Sequence, residues 1–487
     1  MDYTLRPLSH SEFFHLFQAI GKVADSLSYP CYVVGGFVRD FLLCKSNDDL
    51  DFVVVGSGLT MAKEVAKALH ASKVDLYENY GTAKVNVEGY ELEFVGARKE
   101  FYHRESRKPI VENGTIDDDM NRRDLTINDI AICINIDKFG EYYDPHNGLN
   151  DLKDRICRTP LDPDITFSDD PLRMLRCIRF ACRFNFDIDD NTFDGICNNA
   201  ERIKIISKER IVDELMKMIA GFNPARAMSL LYNTKLMQYI MPDIYILDNV
   251  QVRNGVTHKN ILHHTIDVLR YTADHTEDVW VRWAALFHDV GKIKARKWVN
   301  GKDSMEGKGR GQWTFESHAQ IGARMLPKIF RDMKLPESDE RLKKVQTLVE
   351  LHMRPMQLCV DGVTDSAVRR LLFEAGEYIN DLMVLCNADI TTSHLGKAEN
   401  FRNNYNLLVN RMHEIEEADH IRNFQPVIDG NMIMSMFNLQ PCKTVGILKD
   451  SLKNAILDGI IKNEYDVAKQ FLINTYNDIQ KDQEKNK

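Results

Sequence analysis

The chain has 487 residues, of which 44% are hydrophobic and 28% charged, and this composition predicts a folded, soluble protein too long for one hydrophobic core. It contains no apolar run of the ~18 residues that span a bilayer, and its first residues do not have the pattern of a secretory signal. A net charge of −9 neither requires nor excludes a nucleic-acid partner, and ten cysteines without a C-x-x-C pair favour reduced thiols in a cytoplasmic protein with no membrane partner.

The order of the predicted elements divides the chain into two kinds of structure. Short β-branched segments predict strands at residues 33–34, 52–55, 83–87, 91–95 and 130–136, with a helix at residues 61–69. From about residue 165 the strand signals fade, and apolar residues recur at helical spacing, as at Leu172, Leu175 and Ile178. We therefore expect an α+β protein in which an N-terminal α/β head precedes an elongated all-helical body.

Two adjoining segments of the predicted head carry the strongest chemical signal. Residues Val33–Asp40 have the pattern of a buried strand, a glycine turn at Gly35 and Gly36, and the start of a helix, where backbone N–H groups favour a polyphosphate. The next strand carries Asp49 and Asp51, which point to the same side because side chains alternate along a strand. Two carboxylates beside such a turn are suited to divalent cations that bridge a nucleoside triphosphate.

Two arginine-rich segments follow. Arg122 and Arg123 are adjacent and suit phosphate oxygens, although a surface cluster of salt bridges would have the same pattern. In the second segment Asp170 precedes a helix with arginines three residues apart, namely Arg173, Arg176 and Arg179. An aspartate and an arginine one turn apart offer an acceptor and donors along one edge, which complements the Watson–Crick edge of a base. The alternative is a basic helix face that contacts RNA or solvent.

Together these segments resemble the class II CCA-adding tRNA nucleotidyltransferases, in the polymerase-β-like nucleotidyltransferase superfamily that includes bacterial poly(A) polymerases. The matching motifs occur in the family's order over residues 30 to about 220, and they are Gly35-Gly36-x-Val38-Arg39-Asp40, Asp49-x-Asp51, Arg122-Arg123-Asp124, Asp144-Pro145 with Gly148 and Asp151-Leu152, Asp170-x-x-Arg173, and Glu209-Arg210-Ile211. Each motif is weak alone, but the combination is specific. One departure is Asp169, where the family usually has glutamate.

The resemblance implies template-independent addition of C, C and A to the 3′ end of tRNA from CTP and ATP. Asp49 and Asp51 would hold two Mg²⁺ ions, which activate the terminal ribose 3′-OH and stabilise the departing pyrophosphate. Glu91 and Glu93 are two residues apart on a predicted strand and therefore point to the same side. Glu93 is either a third catalytic carboxylate or a solvated strand residue. The residues implied in nucleotide binding are Gly35, Gly36, Arg39, Arg122, Arg123, Asp124, Asp170, Arg173, Arg176 and Arg179. Among them, Gly36, Arg39 and Arg123 would hold the triphosphate, and Asp170 and Arg173 would read the base.

A second constellation lies in the helical body. Histidines and aspartates occur in the order H…HD…H…H…D, at His264, His288, Asp289, His318, His352 and Asp389. Such ligands suit Ni²⁺, Co²⁺, Mn²⁺ or Fe²⁺. The pattern resembles the HD phosphohydrolase domain that some CCA-adding enzymes carry. His263 is the alternative to His264 as the first ligand, and a degenerate domain kept for tRNA binding is the alternative to an active one.

The resemblances predict four regions. We expect a nucleotidyltransferase head at residues 1–160, a helical neck for the base and RNA at 161–240, the HD domain at 241–400, and a helical tRNA-binding region with a disordered tail at 401–487. The oligomeric state stays open.

Other functions share part of this pattern. A bacterial poly(A) polymerase has a similar head and neck, but residues 80–85 follow the CCA-adding pattern. A partial enzyme that adds only CC would be shortened between residues 98 and 120, a segment that this chain retains, and a partial enzyme that adds only A is a further alternative. A metal-dependent phosphohydrolase with a vestigial head would not need the intact pair of Asp49 and Asp51.

Overall fold

The structure is a computed structural model that describes residues 5–71, 73–78, 81–103, 106–248, 252–253, 256–257, 260–299, 312–336, 338–359, 364–393, 398–419 and 424–485. The chain forms two compact units, Met1–Tyr245 with Met333–Leu335, and Ile246–Asp332 with Pro336–Lys487. The predicted fold class is confirmed, because a mixed α/β head is followed by a predominantly helical chain. The four predicted regions stay a prediction.

The first unit contains eleven strands and twelve α-helices among the described residues. The strands are β1 (Cys31–Val34), β2 (Leu50–Val54), β3 (Lys73–Tyr77), β4 (Thr82–Val87), β5 (Tyr90–Gly96), β6 (Arg98–His103), β7 (Ser106–Asn113), β8 (Ala131–Cys133), β9 (Tyr142–Tyr143), β10 (Ile156–Cys157) and β11 (Asp187–Ile188). The helices are α1 (Phe14–Ser26), α2 (Gly36–Leu42), α3 (Gly58–Ala68), α4 (Ile116–Asn121), α5 (Gly148–Asp154), α6 (Pro163–Asp169), α7 (Leu172–Phe184), α8 (Asp190–Asn199), α9 (Lys208–Ala220), α10 (Pro224–Asn233), α11 (Met237–Ile240) and α12 (Pro242–Tyr245).

The second unit is built mainly from helices. Its helices are α13 (Ile261–His275), α14 (Val279–Phe287), α15 (Lys292–Ala295), α16 (His318–Met333), α17 (Asp339–Leu351), α18 (Arg354–Leu358), α19 (Asp365–Ala375), α20 (Ile379–Ser393), α21 (Ala398–Asp419), α22 (Gly430–Phe437), α23 (Lys443–Leu457) and α24 (Tyr465–Lys485). Its strands are β12 (Val252–Arg253), β13 (Val256–Thr257), β14 (Lys297–Val299) and β15 (Gln312–Thr314), which form two short antiparallel pairs. None of the helices that the structure describes is both long and apolar enough to cross a membrane.

The head is organised around one seven-stranded mixed sheet. Its strand order is β3-β4-β5-β2-β1-β8-β9, and β2 and β5 are its parallel neighbours. In this pair Asp51 lies opposite Glu93, and Phe52 lies opposite Phe94. Phe52 and Phe94 stack with ring centroids 4.9 Å apart and are fully buried, and Phe52 also meets Phe17 of α1. Because side chains alternate, Asp51 and Glu93 therefore face away from this core.

Helix α7 connects the head to the helices that follow it in the first unit. One side of α7 is buried against α9 and α10, with Met174, Leu175 and Ile178 fully inaccessible. The helix ends at Asn185, whose left-handed backbone (φ 56°) is tolerated by asparagine. Its opposite side carries the arginines predicted from the sequence.

The last helix of the chain, α24, continues to Lys485, and the predicted disorder of the tail stays a prediction. The segment has no glycine or proline, its polar residues are mostly good helix formers, and the buried Ala468 and Leu472 anchor the preceding turns.

Gly21 allows α1 to pass close to the backbone of Ile134, the residue that follows β8. A Cβ atom at this position would lie 2.0 Å from the main-chain oxygen of Ile134. We predict that Gly21→Ala lowers the free energy of unfolding of the first unit by about 2–3 kcal/mol, because the helix must move away from the backbone of the sheet. Gly446→Ala is the control, since a Cβ there meets nothing within 4 Å and should stabilise α23 by about 0.5–1 kcal/mol. Hydrogen exchange measured by mass spectrometry reports on each unit, and an unchanged first unit in Gly21→Ala would contradict the prediction.

Candidate functional site

A glycine turn and three carboxylates form one wall of a cleft in the first unit. Gly35 precedes α2 with φ 72°, a conformation that glycine adopts without strain. A Cβ on Gly35 would lie 3.5 Å from both Asp51 Oδ2 and Arg123 Nη1, so the turn passes directly beside these groups. Asp49 precedes β2 and is exposed, and Asn47 accepts a hydrogen bond of 2.9 Å from its backbone N–H.

The three carboxylates repel one another. Burial, followed by the negative charges of Asp49 and Glu93, raises the pKa of Asp51 to about 7, although Arg123 and Lys84 lower it. Lys84 Nζ is 3.6 Å from Glu93 and also contacts the more exposed Glu91 at 2.5 Å. A divalent cation would relieve this repulsion, so the residues present fit a hard-cation site with oxygen ligands. The structure thus brings Asp49, Asp51 and Glu93 together.

The adjacent arginines share one buried acid. Asp119 is completely buried, and its carboxylate accepts from Arg122 Nε at 2.9 Å and from Arg123 Nη2 at 3.1 Å. Arg122 also lies 3.5 Å from Glu100, so most of its guanidinium faces carboxylates. Arg123 Nη1 donates to the main-chain oxygen of Asn128 at 3.1 Å and lies beside Gly35. The structure thus shows the salt-bridge cluster at these two residues, and it places Arg123 beside the Gly35 turn.

Arg39 is buried beneath the cleft. Its Nε donates to Asp40 at 2.9 Å and its Nη1 donates to the Asn128 side chain at 2.6 Å. Its guanidinium carbon lies 5.0 Å from the ring centroid of Phe180 and 4.7 Å from that of Phe184 on α7, a distance at which cation–π attraction is effective. Arg39 is therefore held by groups from three separate parts of the first unit.

Asp124, which is buried, joins the head to α7 by an ion pair with the half-exposed Arg176. Its Oδ2 accepts from Arg176 Nε at 2.6 Å, and its Oδ1 accepts from the Asn128 side chain at 3.0 Å. Burial alone would raise the pKa of Asp124, but the charge of Arg176 and the hydrogen bonds from Asn128 and Arg176 lower it to about 2. Asp124 was implied in nucleotide binding, and the structure places it where it holds Arg176.

The remaining residues of the predicted base-reading group lie on or just before α7. Asp170 accepts from the backbone N–H of Leu172 at 3.1 Å and so holds the start of the helix. Arg173 is 8% exposed and its Nη1 is 3.4 Å from the Thr166 oxygen. Arg179 donates to Glu214 at 2.6 Å. All the predicted transferase residues line one cleft of about 1050 Å³, and the arginines of its wall are Arg39, Arg98, Arg122, Arg123, Arg173, Arg176, Arg179, Arg183 and Arg210.

A second cluster lies in the second unit and contains the six predicted HD residues. His264 Nε2 is 2.9 Å from Asp389, and His288 Nε2 is 3.3 Å from Asp289. His318 Nε2 is 3.4 Å from Asp289 and 3.2 Å from His352 Nε2. His263 is exposed, whereas His264 is 5% exposed. The structure thus brings His264, not His263, to the group.

Hydrogen bonds to main-chain oxygens fix the ring orientation of three histidines. The Nδ1 atoms of His288, His318 and His352 lie 2.7–2.8 Å from the main-chain oxygens of Ala285, Phe315 and Val349, each three residues earlier. Since a carbonyl only accepts, Nδ1 carries the proton and the Nε2 lone pair faces the cluster. Burial and the neighbouring histidines lower the pKa of His352 to about 3, which keeps it neutral.

Two polar atoms of the cluster support a metal site. Among the groups that the structure describes, buried His288 Nε2 and Asp289 Oδ1 make no hydrogen bond of good geometry, although Asp289 Oδ2 and His318 Nε2 lie 3.3 Å and 3.4 Å from them, and a cation would recover the free energy that such weakly satisfied buried acceptors cost. Two sets of three ligand atoms lie within 4.8 Å of one another, His264 with His288 and Asp389, and Asp289 with His318 and His352. Nitrogen and carboxylate ligands of this kind fit a transition metal. Lys292 Nζ lies 2.6 Å from Asp289 and is the cation next to the cluster.

The sequence did not single out Asn128, Asn47 or Asp119 as part of the site. Asn128 follows the Arg122-Arg123-Asp124 motif closely in the sequence, but an uncharged side chain next to a turn gives no functional signal. Asp119 was one of three consecutive aspartates, of which only it is buried within the site. Their partners are recognisable only after the chain has folded.

Comparison with known proteins identifies three domain families along the chain. Residues 31–158 match a family described as the poly A polymerase head domain, residues 185–247 match a probable RNA- and SrmB-binding site of polymerase A, and residues 261–392 match the HD domain. The first match contains the three carboxylates and the adjacent arginines, and the third contains the six histidines and aspartates, whereas the cleft residues from Asp170 to Arg183 lie outside the matches. The matches confirm the predicted resemblance and indicate that both domains use divalent metals.

Individual relatives support the same assignment. The chain is 32% identical over 253 residues to an A-adding tRNA nucleotidyltransferase of Geobacter sulfurreducens, a match that covers 50% of this chain and 28% of the relative. It is 27% identical over 437 residues to an A-adding tRNA nucleotidyltransferase of Deinococcus radiodurans, covering 87% of this chain and 90% of the relative. The chain spans less than two fifths of the length of the first relatives that it matches.

A solved structure shows the same fold. The Thermotoga maritima CCA-adding enzyme complexed with tRNA has a TM-score of 0.61 and 19% sequence identity, and the match covers 96% of this chain and 99% of that one. At this identity the likeness is one of fold.

The ion pair between Asp124 and Arg176 predicts a specific pH dependence of stability. Because the folded pKa of Asp124 is about 2, below its ordinary value of 3.8, the carboxylate stabilises the fold above about pH 4, and this contribution is lost as the pH falls toward 2. We expect Asp124→Asn to lower the free energy of unfolding by on the order of 2 kcal/mol at pH 7, and the difference from the unmutated protein to shrink between pH 4 and pH 2.

The matched control is Asp187→Asn, because Asp187 pairs with Arg226 at 3.0 Å but is 92% exposed. An exposed pair contributes little, so this variant should unfold like the unmutated protein. Urea titrations at several pH values make the measurement, and a difference for Asp124→Asn that stayed constant with pH would contradict the assignment.

Proposed function

Because the chain is related to the CCA-adding tRNA nucleotidyltransferases through its poly A polymerase head, RNA-binding and HD domains, we propose that it is an enzyme that adds C, C and A without a template to the 3′ end of tRNA. The observation that carries the proposal is the group of Asp49, Asp51 and Glu93 beside the Gly35 turn, opposite an arginine-lined wall. The chain would use CTP and ATP as substrates and tRNA as its partner.

The proposed division of labour follows the geometry. Asp49 and Asp51, with Glu93 beside them, would hold two Mg²⁺ ions, which when bound make the ribose 3′-OH a stronger nucleophile and stabilise the leaving pyrophosphate. Gly36 would present its backbone to the phosphates, and Arg123, the arginine nearest Gly35, would contact the triphosphate. Arg39 was also predicted to bind the triphosphate. Because it is buried and two of its nitrogens already donate to protein groups, it has fewer N–H groups left for phosphate oxygens.

Base selection is assigned to the start of α7. Asp170 and Arg173 stand one turn apart there, and both line the cleft. They would offer an acceptor and donors to the edge of the incoming base, and Arg176 and Arg179 are fixed by Asp124 and Glu214 on the same side. A site built from hydrogen bonds rejects a base that leaves its groups unpaired.

Addition of A alone is the second candidate. The relative from Deinococcus radiodurans, which matches almost the full length of both chains, is named for adding A. The strands β6 and β7, which lie in the segment expected in enzymes that add A, form an antiparallel hairpin with Arg98 opposite Asn113. Residues 104 and 105 of this hairpin lie outside the described residues. Both candidates therefore require A addition, and they differ only in the use of CTP.

The test uses three tRNA substrates that lack CCA, CA or A, each incubated with Mg²⁺, CTP and ATP, with one of the two nucleotides labelled in each reaction. A CCA-adding enzyme extends all three to the same length and takes CTP on the first two, whereas an A-adding enzyme extends only the third, with ATP. Long tails of A on any substrate would indicate a poly(A) polymerase. No extension of any substrate would overturn the proposed transfer reaction.

In the same assay we predict that Asp51→Asn lowers the rate of addition at least about a hundredfold, because one carboxylate of the cation site loses its charge. Asp75→Asn is the control, since Asp75 lies on β3 of the same sheet and pairs with Lys73 at 2.6 Å away from the cleft. It should leave the rate unchanged. Turnover of Asp51→Asn close to that of the unmutated protein would show that the cation site has been placed wrongly.

We further propose that the histidine–aspartate cluster is a metal-dependent phosphohydrolase centre. His264, His288, Asp289, His318, His352 and Asp389 would hold Ni²⁺, Co²⁺, Mn²⁺ or Fe²⁺, and the bound metal would supply hydroxide near neutral pH by acidifying a water. His288 Nε2 and Asp289 Oδ1 favour this function over a degenerate domain, because both are buried, their neighbours at 3.3 Å and 3.4 Å do not form good hydrogen bonds with them, and a metal would satisfy both atoms. Phosphomonoesters or 2′,3′-cyclic phosphates are the proposed substrates.

We predict that the double variant His288→Ala with Asp289→Ala abolishes metal retention and hydrolysis but keeps nucleotide addition, since the two centres share no residue. His263→Ala is the matched control, because this exposed neighbour of His264 should change neither activity. Metal content of the purified protein and hydrolysis of a chromogenic phosphate ester with Ni²⁺, Co²⁺ or Mn²⁺ are the measurements. No retained metal and no metal-stimulated hydrolysis in the unmutated protein would favour the degenerate domain.

A further inference from the structure

Asn128 contacts two arginines of the transferase cleft directly and a third one through an aspartate. It is 6% exposed and lies in the turn between α4 and β8. Its side-chain oxygen accepts from Arg39 Nη1 at 2.6 Å, and its side-chain nitrogen donates to Asp124 Oδ1 at 3.0 Å. Its main-chain oxygen accepts from Arg123 Nη1 at 3.1 Å. One residue thus meets Arg39, Arg123 and the acid that binds Arg176.

The chemistry of the amide explains why asparagine suits this position. The residue must accept from a cation on one side and donate to an anion on the other, and an amide does both with fixed geometry. A carboxylate could satisfy Arg39 but would repel Asp124. An aliphatic side chain would leave both Arg39 and Asp124 without one of their buried partners, at a cost typical of charged groups.

The three arginines have different positions in the cleft. Arg123 is beside the Gly35 turn and Asp51, where a triphosphate would lie. Arg176 projects from α7 near the start of the helix that carries Arg173. Arg39 lies between them, packed against Phe180 and Phe184. The main-chain oxygen of Asn128 contacts Arg123, the arginine nearest the position proposed for the triphosphate. Its side chain contacts Asp124, which holds Arg176 near the residues proposed to read the base.

We propose that Asn128 is a positioning residue for nucleotidyl transfer, which fixes the guanidinium groups of Arg39 and Arg123 directly and that of Arg176 through Asp124. It thereby couples the affinity for the triphosphate to the choice of base. This inference rests on the proposed transferase function. It assigns Asn128 an effect on nucleotide binding that acts through the arginines.

Two substitutions separate the branches of this network. Asn128→Ala removes both side-chain contacts, so nucleotide affinity should fall about tenfold and discrimination of CTP and ATP from UTP and GTP should fall as well. Asn128→Asp is isosteric, keeps the acceptor for Arg39, and places a second carboxylate 3.0 Å from Asp124. It should change nucleotide affinity less than about threefold and still lower discrimination about tenfold.

The matched control is Asn135→Ala. Asn135 is also a buried asparagine of the head, and its side chain accepts from the Cys31 N–H at 2.8 Å and donates to Asp25 at 2.8 Å, with no contact to the cleft arginines among the described residues. This variant loses at least as many side-chain hydrogen bonds as Asn128→Ala, because the Asn135 amide also donates to the main-chain oxygen of Tyr29 at 2.9 Å. It should lower the melting temperature but leave nucleotide affinity and discrimination unchanged.

Two measurements are made on the full chain. Equilibrium binding of CTP and ATP is measured without tRNA, and the rate of addition is measured with trimmed tRNA and each of the four nucleotides. The double variant of Asn128→Ala with Arg39→Ala should lose less binding free energy than the sum of the losses in the two single variants, because both substitutions remove the same interaction.

Binding and discrimination in Asn128→Ala that match those of the unmutated protein would overturn the proposal. Losses in Asn128→Ala that equal those in Asn135→Ala, in proportion to the change in melting temperature, would also overturn it. If the unmutated chain bound nucleotides but added none to tRNA, the proposed function would fail, and the binding measurement would still decide the role of Asn128.

Discussion

The parallel pairing of β2 with β5 is the constraint on which the candidate transferase site depends. It sets Asp51 beside Glu93 on one face of the sheet and stacks Phe52 on Phe94 on the other. Because the side-chain period of a strand is two, a register shift by one residue in either strand would bring a carboxylate into the core. The aromatic packing beneath α1 therefore fixes the position of the carboxylates more firmly than any contact among the acids themselves, which repel one another.

The arginines on the opposite wall of the cleft are held in place by ion pairs. Each of its main arginines is held by an acid that is itself buried, Arg122 and Arg123 by Asp119, Arg176 by Asp124, and Arg179 by Glu214. Such pairs are costly to bury, and their value lies in the fixed direction of the guanidinium groups rather than in stability. A cleft prepared in this way would bind a polyphosphate without first ordering long side chains, and this lowers the entropic cost of association.

The sequence predicted those parts of the structure that depend on short-range order. The glycine turn, the alternation of Asp49 and Asp51, and the helical spacing of the arginines of α7 are all local patterns, and the fold class derived from them is confirmed. Glu93 was ambiguous because alternation shows which face a residue occupies but not which strand lies next to it. Beside β4, β5 has β2 as a neighbour, although β3 and β4 lie between β2 and β5 in the sequence.

The contacts of Asn128 and Asp124 were beyond such reasoning. Arg39 and Asn128 are 89 positions apart, and Asp124 and Arg176 are 52 apart, so only the folded chain brings them together. The helix at the end of the chain was also beyond such reasoning. Its last residues are polar, and the buried Ala468 and Leu472 that anchor α24 lie in the turns before them.

The backbone contacts of His288, His318 and His352 have a consequence for how their cluster would choose an ion. Each ring is oriented by the carbonyl three residues earlier, at the end of α14, at the start of α16 and at the end of α17. The imidazoles are thus set in place when these helices form, and they have little freedom to rotate toward a ligand afterwards. An incoming ion would have to accept the spacing that the helices impose, so preference among divalent metals would be decided by ionic size and coordination geometry rather than by the softness of the nitrogen atoms.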